Sequence, residues 1–185
     1  MTIAGLLLAA GKSTRFGRDK LIEPLGDSGI AIQSAQNILP HVDSLTVVTA
    51  TNHSILSSQL KHLPLTLLPC DQSAQGMAAS LVCGVIHNMN CDGWIIALAD
   101  MPFIQPQTYA QIVTAALQHS IVAPIYSGQR GHPVFIGKKF LPELLQLQGD
   151  HGARDILRRH AAEIFLVEVS DAGVVMDIDH PDDLL

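Results

Sequence analysis

Aromatic residues are scarce in this chain: one Trp, two Tyr and five Phe, 4% of 185 residues. Its core therefore has to be built from Leu, Ile, Val and Ala. Charge is scarce as well, at 15% against 48% hydrophobic residues, which excludes a chain too polar to collapse. The net charge of −6 excludes the broad basic face that general nucleic-acid binding needs. No apolar run approaches the roughly 18 residues of a membrane span. Cysteines number three, an odd count with no C-x-x-C pair, which argues against a disulfide framework and for bystander thiols in a reducing cytoplasm. The opening MTIAGLLLAA has an apolar run but no basic segment before it, so it is not expected to act as a secretion signal. Linkers, repeats and low-complexity segments are also missing, and the length suits one full core, so a single domain over residues 1–185 is expected.

The apolar residues are grouped in short runs. Ile3–Ala9, Ser44–Ala50, Leu65–Leu68, Gly93–Leu98, Ser120–Ala123, Pro133–Ile136 and Glu163–Val169 read as strands, the first buried on both faces. Helical spacing separates them at Ala31–Leu39, Ser54–His62, Met77–His87, Gln107–His119 and Ala153–Ala161, and a last helix begins at Pro181. Strands alternating with helices imply an α/β fold with a largely parallel sheet covered on both faces. Ligands of such sheets sit at the carboxyl ends of strands, which directs attention to residues 10–20, 69–76, 100–106 and 177–179.

The first of these loops is unlike the rest of the chain. In LLLAAGKSTRFGRDKL, Lys12, Arg15, Arg18 and Lys20 place four of the eleven Lys and Arg residues within nine positions, against one acid, Asp19. The GKS triplet is not a Walker A loop, because the glycine required five positions before Gly11 is Leu6. A dinucleotide fingerprint fails too, since no glycine lies between Gly11 and Gly17. Charge alone allows a solvated basic loop. Position after the first strand, with Gly11 permitting close backbone approach, favours an anion such as a phosphate. Two acidic turns complete the set. Asp100 follows the buried strand in IIALADMPF, stiffened by Pro102, and Asp177-Ile178-Asp179 lies among five acids in the last fifteen residues. Mg²⁺ typically takes one or two carboxylates plus substrate phosphates; a helix-capping role is the rival reading for Asp179 and Asp182.

The loop resembles the signature L-A-A-G-x-S-x-R-x-G-x-x-K of the MobA-like nucleotidyltransferases, with every fixed position present at Leu8, Ala9, Ala10, Gly11, Ser13, Arg15, Gly17 and Lys20. The resemblance implies a three-layer Rossmann-like fold with a mostly parallel central sheet. It also implies a nucleotide site at Leu8, Ala9, Ala10, Gly11, Lys12, Ser13, Arg15 and Lys20, in which Arg15 and Lys20 contact the triphosphate and act in catalysis. LADMP and DIDHPDDL are similar to the family's acidic motifs, with His180 and Asp182 in place of the usual threonine and glutamate. Metal binding is thereby carried to Asp100, also catalytic, and to Asp179, with the choice between Asp177 and Asp179 left open.

Within that family the chain is most similar to the molybdenum cofactor cytidylyltransferase branch. GMAASL, from Gly76 to Leu81, resembles that branch's segment, and the first loop lacks the Gly-Gly pair of the guanylyltransferases. Gly76 and Ser80 are accordingly expected at the base. GQRGHPV and GDHGARDIL resemble motifs beside the acceptor, which implies acceptor binding by Arg130, His132 and Arg154; from the residues alone, Asp150 reads as a helix N-cap. The expected activity is Mg²⁺-dependent transfer of CMP from CTP to the phosphate of molybdopterin, with a recipient molybdoenzyme as a further partner. The alternatives are GTP as donor, a sugar- or alcohol-phosphate acceptor, and a non-catalytic nucleotide-binding cofactor chaperone.

Overall fold

A computed structural model of the chain describes residues 1–11 and 16–184. Its order is β1 (Ile3–Ala9), β2 (Pro24–Leu25), β3 (Ser28–Gly29), α1 (Ile30–Ile38), β4 (Ser44–Ala50), α2 (Ser54–Leu60), β5 (Thr66–Cys70), α3 (Met77–His87), β6 (Gly93–Leu98), α4 (Pro106–Ala116), β7 (Ile121–Tyr126), β8 (Gln129–Arg130), β9 (Val134–Gly137), α5 (Leu141–Leu144), α6 (Arg154–Arg159) and β10 (Ile164–Glu168). Eight strands form the main sheet in the order β10-β7-β9-β6-β1-β4-β5, with β8 hairpinned onto β7; β2 and β3 make a separate ribbon. Pairs β1/β4, β1/β6, β4/β5 and β7/β10 are parallel, whereas β9 runs antiparallel to β6 and β7. The α/β architecture with a mostly parallel sheet is thus as expected.

All seven residues of β1 are buried, and their alternation divides the core into two layers. Ile3, Leu7 and Ala9 pack with apolar residues of α1, α2 and α4. Ala4, Leu6 and Leu8 pack on the opposite face with residues of α3, α5 and α6. The loop after β6 is tied to α1, where Ser34 donates to the Ala99 carbonyl and Asn37 to those of Pro102 and Ile104. A crevice opens at the carboxyl edge of the sheet between the ends of β1 and β6 and the start of α3 on the opposite layer, the edge where ligands of such sheets sit.

A clasp closes the segment between α5 and α6. His160 meets Glu143 at 2.8 Å through Nε2 and Glu163 at 2.9 Å through Nδ1. The hydrogen bond to Glu163, and then that to Glu143, outweigh desolvation and hold the imidazole pKa above its ordinary value. A raised folded-state pKa stabilises the fold fully below the unfolded value of about 6.5, and this contribution disappears as pH rises through the folded value. Thermal melts should therefore show the native chain losing its advantage over His160→Asn as pH goes from about 6 to 8.5. A constant difference across that range would discount the clasp.

Candidate functional site

The crevice is a cleft of about 410 Å³ lined by Leu8, Ala10, Gly11 and Lys20 from the first loop, Ser73 to Met77 and Ser80 from the start of α3, and Leu98, Asp100 and Asp150. Gly11, Lys20, Gly76 and Ser80 therefore meet as expected. Ala9 does not join them: strand alternation turns its side chain into the α1 layer, leaving Leu8 and Ala10 on the cleft side. Lys12, Ser13 and Arg15 lie outside the described residues. Arg18 points elsewhere, pairing with Glu23 at 2.7 and 2.8 Å.

One wall depends on Gly76. Its φ of +124° belongs to glycine, and a Cβ there would lie 2.3 Å from Asp150 Oδ1 and 2.5 Å from the Gly149 carbonyl. Close approach brings that carbonyl to the N–H of Ala78 at 3.1 Å and so ties the 149–152 turn to the first turn of α3. Asp150 is consequently a cleft residue and not the predicted helix cap; α6 starts at Arg154 with Ala153 before it. Backbone strain of about 1–3 kcal/mol is expected for Gly76→Ala, before the clash is counted. Chemical denaturation should register that loss, and nucleotide titration should show weaker binding; native behaviour in both would contradict this wall geometry.

Asp100 stands at the carboxyl end of β6, where the C-terminal segment reaches it. The N–H of Ile178 donates to the Asp100 carbonyl at 2.9 Å, and the Ile178 side chain is fully buried. The flanking residues Asp177 and Asp179 therefore both turn the other way, and carboxylate oxygens of Asp100, Asp177 and Asp179 come within 4.8 Å of one another. Both alternatives left open by the sequence thus join the cluster. The capping role falls to Asp183, whose Oδ2 accepts from the N–H groups of Asp179 and His180. Three converging carboxylates are a hard-oxygen donor set of the kind Mg²⁺ and Mn²⁺ take.

Lys20, buried in the 3₁₀ turn Lys20–Ile22, sends its ammonium into this cluster. It lies 2.8 Å from Asp100 Oδ2 and 3.0 Å from Asp179 Oδ1, and it donates to the Ile178 carbonyl. Burial alone would lower its pKa, but Asp100 and then Asp179 more than offset this and raise it. The lysine is therefore charged at neutral pH.

Beyond Leu8, Met77 and Leu98 the cleft adjoins a second cavity of about 320 Å³. Arg130, His132 and Arg154, the three expected acceptor residues, all line it, together with Gly131 and His151 to Ala153. Burial lowers the His132 pKa despite the Ile96 backbone and the charge of Asp100, so its ring is neutral. Its Nδ1 is buried with no hydrogen-bond partner among the described residues. A close backbone contact aims this loop: the His132 N–H donates to the Val174 carbonyl at 2.9 Å, and Gly131 leaves no room there for a Cβ. The hairpin reading of this stretch also holds, since β8 pairs with β7. Thiols play no part: Cys70 and Cys91 are buried, and burial together with contact from Cys70 pushes Cys83 up to about 11, well away from a reactive thiolate.

Asp171 is the residue that sequence reasoning missed. It is buried, and it accepts from the Gly173 N–H at 2.9 Å, the Gln105 N–H at 2.8 Å and the Thr108 hydroxyl at 2.6 Å. These bonds strap the C-terminal segment to the start of α4, upstream of both Val174 and Ile178.

A mostly parallel sheet with a crevice at its carboxyl edge, a basic loop and converging carboxylates define a nucleotide-handling α/β enzyme. Residues 5–164 match the MobA-like NTP transferase domain, and the chain belongs to that family. It is 30% identical to the purine catabolism protein PucB of Bacillus subtilis, over 98% of this chain and 93% of that protein. It is 25% identical to the molybdenum cofactor cytidylyltransferase of Escherichia coli, over 97% and 92%. The crystal structure of Rv0371c from Mycobacterium tuberculosis superposes with a TM-score of 0.89 at 24% identity, over 99% of this chain and 95% of that one. A complex of Rv0371c with manganese gives 0.84 at 22%, over 99% and 96%. The chain is therefore a nucleotidyltransferase with the Rossmann-like fold of these proteins. No helix among the described residues is long and apolar enough to cross a membrane.

Proposed function

We propose that the chain transfers CMP from CTP to the terminal phosphate of molybdopterin. The observation that carries this reading is the seam between the two clefts, where Asp100 faces the first cavity and its charge reaches His132 in the second. A donor and an acceptor phosphate held on either side of that seam are aligned without a covalent enzyme intermediate, and alignment with charge stabilisation is most of what phosphoryl-type transfer requires. An acceptor phosphate oxygen attacks the α-phosphorus of CTP; the bond from that phosphorus to the β-bridging oxygen breaks, and pyrophosphate leaves with the electron pair.

Arg15 and Lys20 receive the negative charge of the leaving pyrophosphate, and Leu8, Ala10 and Gly11 border the nucleotide. Gly76 and Ser80 line the nucleotide cleft at the start of α3, where the base is expected; the likeness to the Escherichia coli cytidylyltransferase supports cytosine over guanine. Arg130 and Arg154 offer charge to an anionic acceptor, and His132 lines the same cavity. Asp100, Asp177 and Asp179 would hold Mg²⁺, a reading supported by the manganese complex of Rv0371c. The cation, when bound, acts as a Lewis acid toward the reacting phosphates. Pyrophosphate release measured with each of the four NTPs, Mg²⁺ and molybdopterin tests the assignment. CTP alone should support release, whereas equal release with GTP would overturn the base preference.

A further inference from the structure

An ammonium group has three N–H donors. In Lys20 these go to Asp100 Oδ2, Asp179 Oδ1 and the Ile178 carbonyl. While the ammonium sits there it has no donor left for a phosphate oxygen, and it covers carboxylate oxygens that a divalent cation would use. The two tasks given to this part of the site, holding a metal and binding a triphosphate through Lys20, are therefore exclusive in this arrangement.

We propose that Lys20 is a resident counter-ion that keeps the carboxylate cluster closed to free divalent cations until a nucleoside triphosphate draws its ammonium away. The metal then enters with the nucleotide and not before it. This rests on the reading of Asp100, Asp177 and Asp179 as the metal-holding set. Three features of the molecule carry it. First, three converging carboxylates repel one another unless a cation lies among them, and Lys20 is the cation the chain itself supplies. Second, Lys20 also lines the open nucleotide cleft, so its flexible four-carbon stem has space to move toward a triphosphate. Third, the acids are held by other contacts: Ile178 by its buried side chain and its N–H bond to Asp100, and Asp179 by the carboxylate of Asp183. The backbone positions of the acids therefore do not depend on the lysine, and a divalent cation takes over its charge when it leaves. An ammonium and a dication on shared carboxylate oxygens repel, so either one displaces the other.

Mn²⁺ binding to the nucleotide-free full-length chain, followed by electron paramagnetic resonance of the unbound ion, tests the proposal. Lys20→Gln keeps N–H donors on a side chain one atom shorter and removes the charge; Lys20→Met removes both charge and donors, and circular dichroism melts verify that each is folded. Free Mn²⁺ should bind at least about ten-fold more tightly to Lys20→Gln than to the native chain, because a competing cation is gone. Unchanged or weaker binding would overturn the proposal and make Lys20 a permanent strut of the site. Adding Asp100→Asn to Lys20→Gln should abolish the gained affinity. If the gain persists there, the cation lies elsewhere and the metal-site reading itself fails, an outcome separate from the first.

Discussion

Asp100→Asn should lower turnover by at least about 10²-fold while leaving the fold intact, because in the proposed mechanism it removes a ligand charge where the reacting phosphates accumulate theirs. Three features limit the structural damage. The side chain of Asp100 is partly exposed, the amide is nearly isosteric, and the backbone bond from Ile178 uses the Asp100 carbonyl rather than its carboxylate. Steady-state pyrophosphate release, paired with a thermal melt, separates the two effects. A variant that melts like the native chain and turns over slowly fits the assignment. Near-native turnover would remove Asp100 from the chemistry.

Asp171→Ala should act in the opposite way, on the fold first and on the site as a consequence. The buried carboxylate accepts three hydrogen bonds, two of them from backbone N–H groups. Its removal strands these donors away from water, at a cost of about 3 kcal/mol, or a fall of roughly 6–12 °C in Tm for a chain of this size. The strap it anchors continues to Val174, which sets the His132 loop, and to Ile178, which sets Asp177 and Asp179. Loss of Mn²⁺ affinity in the presence of a nucleoside triphosphate, at temperatures where the variant is still folded, would show that the strap orders the carboxylates. A fall in Tm of less than about 2 °C would contradict the hub.

The difference between these two residues explains what was legible in the chain. Asp100 ends an apolar run and starts a Pro-stiffened turn, so its position at a strand terminus could be read locally. Met77–His87 and Gly93–Leu98 were legible to the residue for the same reason, since each is bounded by glycine or turn residues. Leu65–Leu68 is displaced to Thr66–Cys70 because its end is set by pairing with β4, to which Pro69 and Cys70 still align. The four-residue helix α5 escaped because it is too short to show a period. Asp171 looks like a turn residue, which it is toward Gly173; its other partners lie 66 and 63 positions away. Lys20 is similar: its charge and loop suggested phosphate, while the acid it meets at Asp179 is 159 positions distant. Asp150 was expected to cap a helix that instead begins four residues later, and its carboxylate faces the cleft. Local chemistry indicated which residues carry charge; only the sheet order and the C-terminal strap determine which of them meet.

Cytidylyl transfer at the seam of the two clefts is tested by mass spectrometry of the product formed from molybdopterin, Mg²⁺ and an equimolar mixture of the four NTPs. One new species is expected, the cytidine dinucleotide of molybdopterin, in a one-to-one ratio with pyrophosphate. A guanosine adduct, or nucleotide bound without any transfer, would contradict it.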